Sequence, residues 1–441
     1  MTRTIGLDVH KRQVTFCVLD AEGRVEQRGK VVCSREALES FATTSLRATD
    51  QVVLEATTNT WAVVEILEPH VERVVVSNPL RTRAIASAKI KTDKIDARVL
   101  AELLASGFLP EVWQPDVETR RYRALSSRRA SLVADRTAIK NRLHSMLAMR
   151  LIEVPLPTLW SPRGRQWLDG LELDPEGRQM LDSDLRLLDA VEREITELEL
   201  VMAKSAYPNE AVRLLMTLPG IGFTVAQGLL AAWGDISRFP NADKAAGYLG
   251  LAPSTRQSDR RCYHGSITKQ GNSHARWLLV QAAQHLDRHP GPLGVFFRRL
   301  AKKKNRNIAV VAGARKLATI AWHMLKNREP YRYGLPTSTE AKLAQLRVMA
   351  TGKRRRGGLP KGKPRPESHG SGQRTKAVPS LQQACEKEQL PKPKTTKEIS
   401  PGERRVLIRT KTLKHAQSIQ QSRRVPRKKA TVDAGKELTQ S

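Results

Sequence analysis

Cysteine is scarce in this 441-residue chain: Cys17, Cys33, Cys262 and Cys385 are scattered, with no CxxC pair. That spacing argues against a disulfide framework and against a Cys/His zinc site, and it makes a reducing cytosol the expected compartment. No apolar run approaches the ~20 residues that a membrane-crossing helix needs. The opening Met1-Thr2-Arg3-Thr4 leads directly into a strand pattern, without the apolar stretch expected of a signal peptide. No Walker-type phosphate loop appears, which argues against an ATPase. Acidic residues are also in deficit, at 44 against 76 Lys and Arg, for a net charge of +32. An excess of that size points to a polyanionic partner, and the usual signatures of membrane association are missing. From Thr351 onward there are 24 Lys/Arg and 7 Asp/Glu, so about half of the charge lies in the last 91 residues.

The chain is long enough for two or three units at ~150 residues each. Residues 1–112 alternate strand and helix patterns. Ile5–Val9, Val14–Leu19 and the Val31-Val32 region suggest strands, with a turn at Glu22-Gly23. A helical stretch Arg35–Thr43, a strand ending at Glu55, a helix Trp61–Leu67, a strand Val71–Ser77 and a helix Asp93–Ala105 follow. Three strands, a helix and then β-α-β-α describe a ribonuclease-H-like α/β layer. Residues 113–207 carry Leu125, Leu132, Ile139 and Met146 at sevenfold spacing, then Leu185, Leu188, Ile195, Leu198 and Met202 at three and four. This predicts two long helices, expected to form an antiparallel coiled-coil arm or a dimerisation element, or to pack onto their own domain. Residues 208–335 contain helix, Pro219-Gly220-Ile221-Gly222 and helix, a helix-hairpin-helix pattern whose turn amides would face a phosphate at Gly220 and Gly222. Residues 336–441 are expected to be a basic disordered tail.

Four acids carry the chemical signal. Asp8 interrupts the apolar strand Ile5-Gly6-Leu7-Asp8-Val9, and Glu55 closes Val52-Val53-Leu54-Glu55. Asp93 and Asp96 stand three apart at a helix start, so both face one side. A carboxylate cluster drawn from strands and a helix is a means of holding two Mg²⁺ ions for phosphodiester chemistry. Each acid also has a plainer role: Asp8 as an edge carboxylate, Asp93 as an N-terminal helix acid beside a capping Thr92. Taken together in a chain this basic, the four favour metal-dependent work on nucleic acid. Lys11 beside the first acid is a candidate for shaping the site or meeting phosphate, and Lys269 and Arg276 farther along are candidates for contact with the nucleic-acid backbone, although an exposed polar helix start would look the same there.

The acids, the Pro219–Gly222 turn and the segments Arg238-Phe239, Gly250–Pro253 and Ile267–Asn272 resemble, in order and separation, the insertion-sequence-110 family, also called DEDD transposases. The resemblance covers roughly residues 3–330. It implies a RuvC-like N-terminal nuclease domain, a coiled-coil linker and a C-terminal transposase domain that supplies a nucleophilic serine. That serine maps to Ser258 in Pro253-Ser254-Thr255-Arg256-Gln257-Ser258-Asp259-Arg260-Arg261, with Ser254 a rival. Asp259 stands where the family pattern has glycine, a departure that bears on the geometry of the loop. Arg256, Arg260 and Arg261 would then hold the scissile phosphate. The site would be composite, with carboxylates from one domain and serine from another. The resemblance further implies DNA as substrate, a structured noncoding bridge RNA as partner, a homodimer or tetramer, and a bacterial cytoplasmic, nucleoid-associated setting. Two alternatives stay open: a metal nuclease that resolves junctions with water, and a noncatalytic nucleic-acid-binding protein.

Overall fold

The computed structural model describes residues 2–85, 93–258, 261–353 and 375–426. The chain divides into two compact units, Met1–Pro115 and Asp116–Ser441.

The first unit is built on a five-stranded sheet: β1 (Thr4–Val9), β2 (Gln13–Leu19), β3 (Val25–Val32), β4 (Gln51–Glu55) and β5 (Arg73–Ser77), in the order β3-β2-β1-β4-β5. The first three strands are antiparallel, while β4 runs parallel to β1 and β5 parallel to β4. Side chains alternate between the two faces, so each strand feeds two cores. On one face Leu7, Phe16, Val18, Leu54 and Val76 pack with Leu38 and Phe41 of α1 (Arg35–Ser45) and Val63 and Leu67 of α2 (Thr60–Leu67). After α3 (Pro79–Ile85), helix α4 (Asp93–Ala105) covers the other face: Ala97 and Ala101 meet Cys17 and Leu19, and Leu100 meets Val53 and Val75. The expected strand near Val31 is longer than its apolar signal, because Val-Glu-Gln-Arg-Gly-Lys is an exposed polar edge. This mixed α/β unit is consistent with the ribonuclease-H-like layer.

Gly6 sets how close α4 comes. A Cβ at Gly6 would lie 1.9 Å from the Ala97 carbonyl oxygen and 2.8 Å from the Ala101 nitrogen. Only glycine lets the helix backbone lie this near the strand, two residues from Asp8.

The second unit is mostly helical. Helices α5 (Val117–Met149) and α7 (Pro175–Ala206) start at side-chain caps from Asp116 and Asp174, with α6 (Pro162–Asp169) between them. The ion pairs Arg129–Glu199, Lys140–Glu192 and Arg142–Asp184 show that the two long helices run antiparallel. Ile139, Leu143, Leu147, Leu181, Leu185 and Leu188 form their own core at one end. At the other end, Met202, Ala203 and Ala206 join the main core of the unit. That core is built from α8 (Glu210–Leu215), α9 (Phe223–Trp233), α10 (Ala242–Tyr248), α11 (Ser273–Ala283), α12 (Pro292–Lys303), α13 (Arg306–Asn327) and α14 (Pro336–Thr351). Helix α13 is the one described helix long and apolar enough to cross a bilayer, and half of its apolar stretch is buried.

Two expectations need correction. The polar stretch after Pro253 is not a loop: β6 (Pro253–Ser258) and β7 (Arg261–Ile267) form an antiparallel hairpin. The segment from residue 336 is not structureless where it is described. Beyond α14 come β8 (Thr375–Val378), α15 (Leu381–Glu386), α16 (Pro401–Arg409), α17 (Leu413–Ser418) and β9 (Arg423–Pro426), which pairs with β8. Leu381, Cys385, Leu390, Leu407, Ala416 and Ile419 are buried in the main core. Glu388 pairs with the buried Arg347, and Glu403 accepts from Arg332 Nη1 and the Tyr333 hydroxyl, both at 2.5 Å. Residues 354–374 and 427–441 lie outside the described residues.

Candidate active site

Asp8 and Glu55 stand at equivalent positions on neighbouring parallel strands. The β1–β4 register runs from Thr4–Gln51 to Leu7–Leu54, so the next residues along the two strands are Asp8 and Glu55. Val53, two before Glu55, and Gly6, two before Asp8, lie under α4, which puts both carboxylates on the α4 face. Asp96 immediately precedes Ala97, the residue that rests on Gly6. The fold therefore brings Asp8, Glu55 and the start of α4 to one side of the sheet. The backbone of Asp93 begins α4; its side chain lies outside the described residues.

The carboxylates are half-buried: the Asp8 side chain is 19% exposed, and its Oδ2 lies 3.1 Å from His10 Nε2. The β1–β2 turn, closed by His10 N donating to Gln13 O at 2.9 Å, places exposed Lys11 and Arg12 beside the end of β1. The turn thus puts two cations at the rim of an acidic site, as suits an anionic substrate. Among the described residues no group of three or more His, Cys, Asp or Glu side chains is gathered closely enough to hold a metal ion. The donor set itself, carboxylate oxygens on a polar row of the sheet, is of the hard type that Mg²⁺ takes. Sequence reasoning missed two members of that row. Thr15 pairs with Asp8 and Ser77 with Glu55 across the ladders, and both are buried. Each is a lone hydroxyl at or near the end of an apolar strand, and only the strand register reveals its place beside a carboxylate.

In the second unit Ser258 is the last residue of β6, its backbone paired with Arg261, the first residue of β7. Asp259 and Arg260, and the side chains of Arg256, Ser258 and Arg261, lie outside the described residues. The rival Ser254 is engaged, its hydroxyl donating to the Ser266 carbonyl at 2.9 Å. Arg276 has a structural task as well: its Nη1 donates to the Leu249 carbonyl at 2.9 Å and so ties α11 to the end of α10. Lys269 is exposed, with a left-handed φ of 56°.

The Pro219–Gly222 turn joins α8 to α9. Gly220 has φ +73°, and a Cβ there would lie 2.3 Å from the Ala282 carbonyl oxygen, so glycine is required. Gly222 is the N-cap of α9, with open space where a Cβ would project. Lys342 of α14 holds this turn from behind, donating to the carbonyls of Leu218 at 2.6 Å and Ile221 at 3.0 Å. Burial pushes the Lys342 ammonium down to about 7, while the two carbonyls favour its charged form. An apolar cleft of about 520 Å³ between α12, α13 and α16 holds none of the candidate site residues.

Residues 5–150 match the DEDD transposase family of IS110, and residues 212–295 match the transposase family IS116/IS110/IS902. The transposase of insertion sequence IS1111A from Coxiella burnetii is 26% identical over 75% of this chain and 92% of its own length. The pilin gene-inverting protein of Moraxella bovis is 28% identical over 64% of this chain and 82% of its own. The transposase of IS1328 from Yersinia enterocolitica is 27% identical over 53% and 71%. The chain belongs to the IS110 family of transposases. Membership makes it a DNA-acting transposase or recombinase.

Proposed function

We propose that this protein cuts and rejoins DNA strands at the ends of an insertion sequence and its target, through Ser258 and with Mg²⁺ held by Asp8, Glu55, Asp93 and Asp96. The observation that carries this reading is the placement of Asp8 and Glu55 side by side on parallel strands, on the sheet face covered by the helix that begins with Asp93 and Asp96. Two bound Mg²⁺ ions would supply charge neutralisation at the attacking and leaving oxygens. The carboxylates orient that charge, and Lys11 with Arg256, Arg260 and Arg261 steers and grips phosphate. The Ser258 hydroxyl attacks phosphorus and loses its proton, a Ser–O–P bond forms, and the broken DNA linkage leaves as a hydroxyl. A DNA hydroxyl from the new partner then attacks the same phosphorus and returns the serine, so bond energy is conserved and no ATP is consumed.

The Pro219–Gly222 turn and the first turn of α9 bind backbone phosphate in this reading, and the antiparallel α5/α7 pair serves dimerisation. Exchange of two strands at each of two sites requires more than one copy, so a dimer or tetramer acts. The structured noncoding RNA belongs to the same proposal and rests on family resemblance. A junction nuclease using water retains the carboxylates and differs only in its nucleophile. Replacing Asp8 by Asn, Glu55 by Gln or Asp96 by Asn is expected to cut strand cleavage by about a hundredfold or more while leaving DNA binding intact. The measurement is cleavage of junction DNA in Mg²⁺ beside a filter-binding assay. Cleavage at the wild-type rate by Asp8→Asn would overturn the metal assignment.

A further inference from the structure

The polar row on the sheet is longer than the two carboxylates. Crossing the strands at the level of Asp8, the ladder pairs Lys30 with Thr15 and Thr15 with Asp8; Glu55 follows on β4 and pairs with Ser77 on β5. Asp8 and Glu55 are thus flanked by Thr15 on one side and Ser77 on the other. Alternation puts both hydroxyl residues on the α4 face. Cys17 and Val75, two positions away, pack with α4, whereas Val14, Phe16 and Val76 belong to the opposite core.

Both residues are deeply buried, Thr15 at 3% and Ser77 at 0% exposure. Neither Thr15 Oγ1 nor Ser77 Oγ has a hydrogen-bond partner among the described residues. A buried hydroxyl without a partner costs free energy that valine or alanine would avoid. Two of them in one row, one beside each strand carboxylate, indicate that their partner arrives with a ligand. Mg²⁺ gives up its water reluctantly and keeps several when a protein holds it through one or two carboxylates. Those waters donate hydrogen bonds, and a hydroxyl oxygen has two lone pairs to receive them.

We propose that Thr15 and Ser77 are positioning residues whose hydroxyl oxygens accept from the water shell of a divalent cation held by Asp8 and Glu55. The inference rests on the metal reading above and extends it to the outer shell. Partners of this kind typically change metal affinity by about 10–100-fold.

The test uses the full-length protein and Mn²⁺ as the probe, without DNA. Mn²⁺ binding is followed by calorimetry, and thermal unfolding is recorded in EDTA. The set comprises wild type, Thr15→Val, Thr15→Ser, Ser77→Ala, the Thr15→Val/Ser77→Ala double variant and Asp8→Asn. Each hydroxyl deletion should leave the melting temperature in EDTA equal or higher, because it removes an unpartnered group. The double variant should weaken Mn²⁺ binding by about 10–100-fold, and Thr15→Ser should retain wild-type affinity. Unchanged affinity in the double variant, with binding lost in Asp8→Asn, would overturn the outer-shell role and leave the metal reading standing. A lower melting temperature in EDTA for Thr15→Val would also overturn it, by showing a structural partner. Mn²⁺ binding that is absent in wild type, or unaffected by Asp8→Asn, would overturn the metal reading and this inference with it.

Discussion

At the scale of single residues, the site depends on a position with no side chain. Gly6 lets the α4 backbone touch β1, and that contact sets the height of Asp96 above Asp8 and Glu55. Gly6→Ala would drive a methyl into the Ala97 carbonyl, 1.9 Å away, and backbone cannot yield as a flexible side chain would. The expected cost is about 1–3 kcal/mol from overpacking, read as a lower denaturation midpoint, together with weaker Mg²⁺-dependent cleavage. Wild-type stability in Gly6→Ala would contradict this account of how α4 is seated. Asp8 and Glu55 stand out in the sequence because a carboxylate inside or at the end of an apolar strand is conspicuous, and Asp93 and Asp96 because they lie three apart at a helix start; their role as metal ligands is part of the proposal. Gly6, Thr15 and Ser77 do not stand out, since their importance lies in the register and in the helix that crosses above them. No spacing along the chain encodes either.

At the scale of elements, strong apolar periodicity was read well. The helix from Asp93 to Ala105 and the strand ending at Glu55 fall where the pattern placed them, and the long 117–149 and 175–206 helices occupy the stretch assigned to two helices. Elements without that periodicity were missed. The β6–β7 hairpin is built from Pro-Ser-Thr-Arg-Gln-Ser and Arg-Cys-Tyr-His-Gly-Ser-Ile, which lack alternating apolar residues and gain strand form by pairing. The helices after residue 375 contribute isolated apolar residues within basic sequence, and these are buried only because a core already exists to receive them. One contact in this layer has a pH signature. His289, after α11, and His415, on α17, lie edge to face at 6.0 Å. Both Nε2 atoms are buried without a partner among the described residues, and His289 Nδ1 accepts from Gly291 N at 3.1 Å.

Burial, with the positive neighbours His415, Arg298 and Lys342 adding to it, pushes His289 down to about 4. Burial lowers His415 as well. In the unfolded chain these histidines take up protons near 6.5, so the unfolded state binds more protons between there and the folded values. Stability of the second unit should therefore be intact above about pH 6.5 and fall as the pH drops toward 4, by on the order of 3 kcal/mol for His289. Urea unfolding followed by circular dichroism across that range checks it. His289→Gln should flatten the decline, and an unchanged slope would contradict the assignment.

At the scale of the whole molecule, the charge takes on a more definite form than a loose tether. Residues 375–426 carry 12 Lys/Arg and 4 Asp/Glu, so much of the basic excess beyond residue 350 is mounted on a folded layer. The carboxylates belong to the first unit and Ser258 to the second, and family membership makes the chain a DNA-acting transposase. The proposed division of labour, metal carboxylates in one unit and nucleophile in the other, predicts that loss of either abolishes the same intermediate. The most direct measurement is a denaturing gel for covalent protein–DNA adducts, with junction DNA, Mg²⁺ and the element's flanking RNA, comparing wild type with Ser258→Ala and Asp96→Asn. The account predicts an adduct in wild type and none in either variant. DNA cleavage that yields no adduct and survives Ser258→Ala would contradict it and assign the chemistry to water.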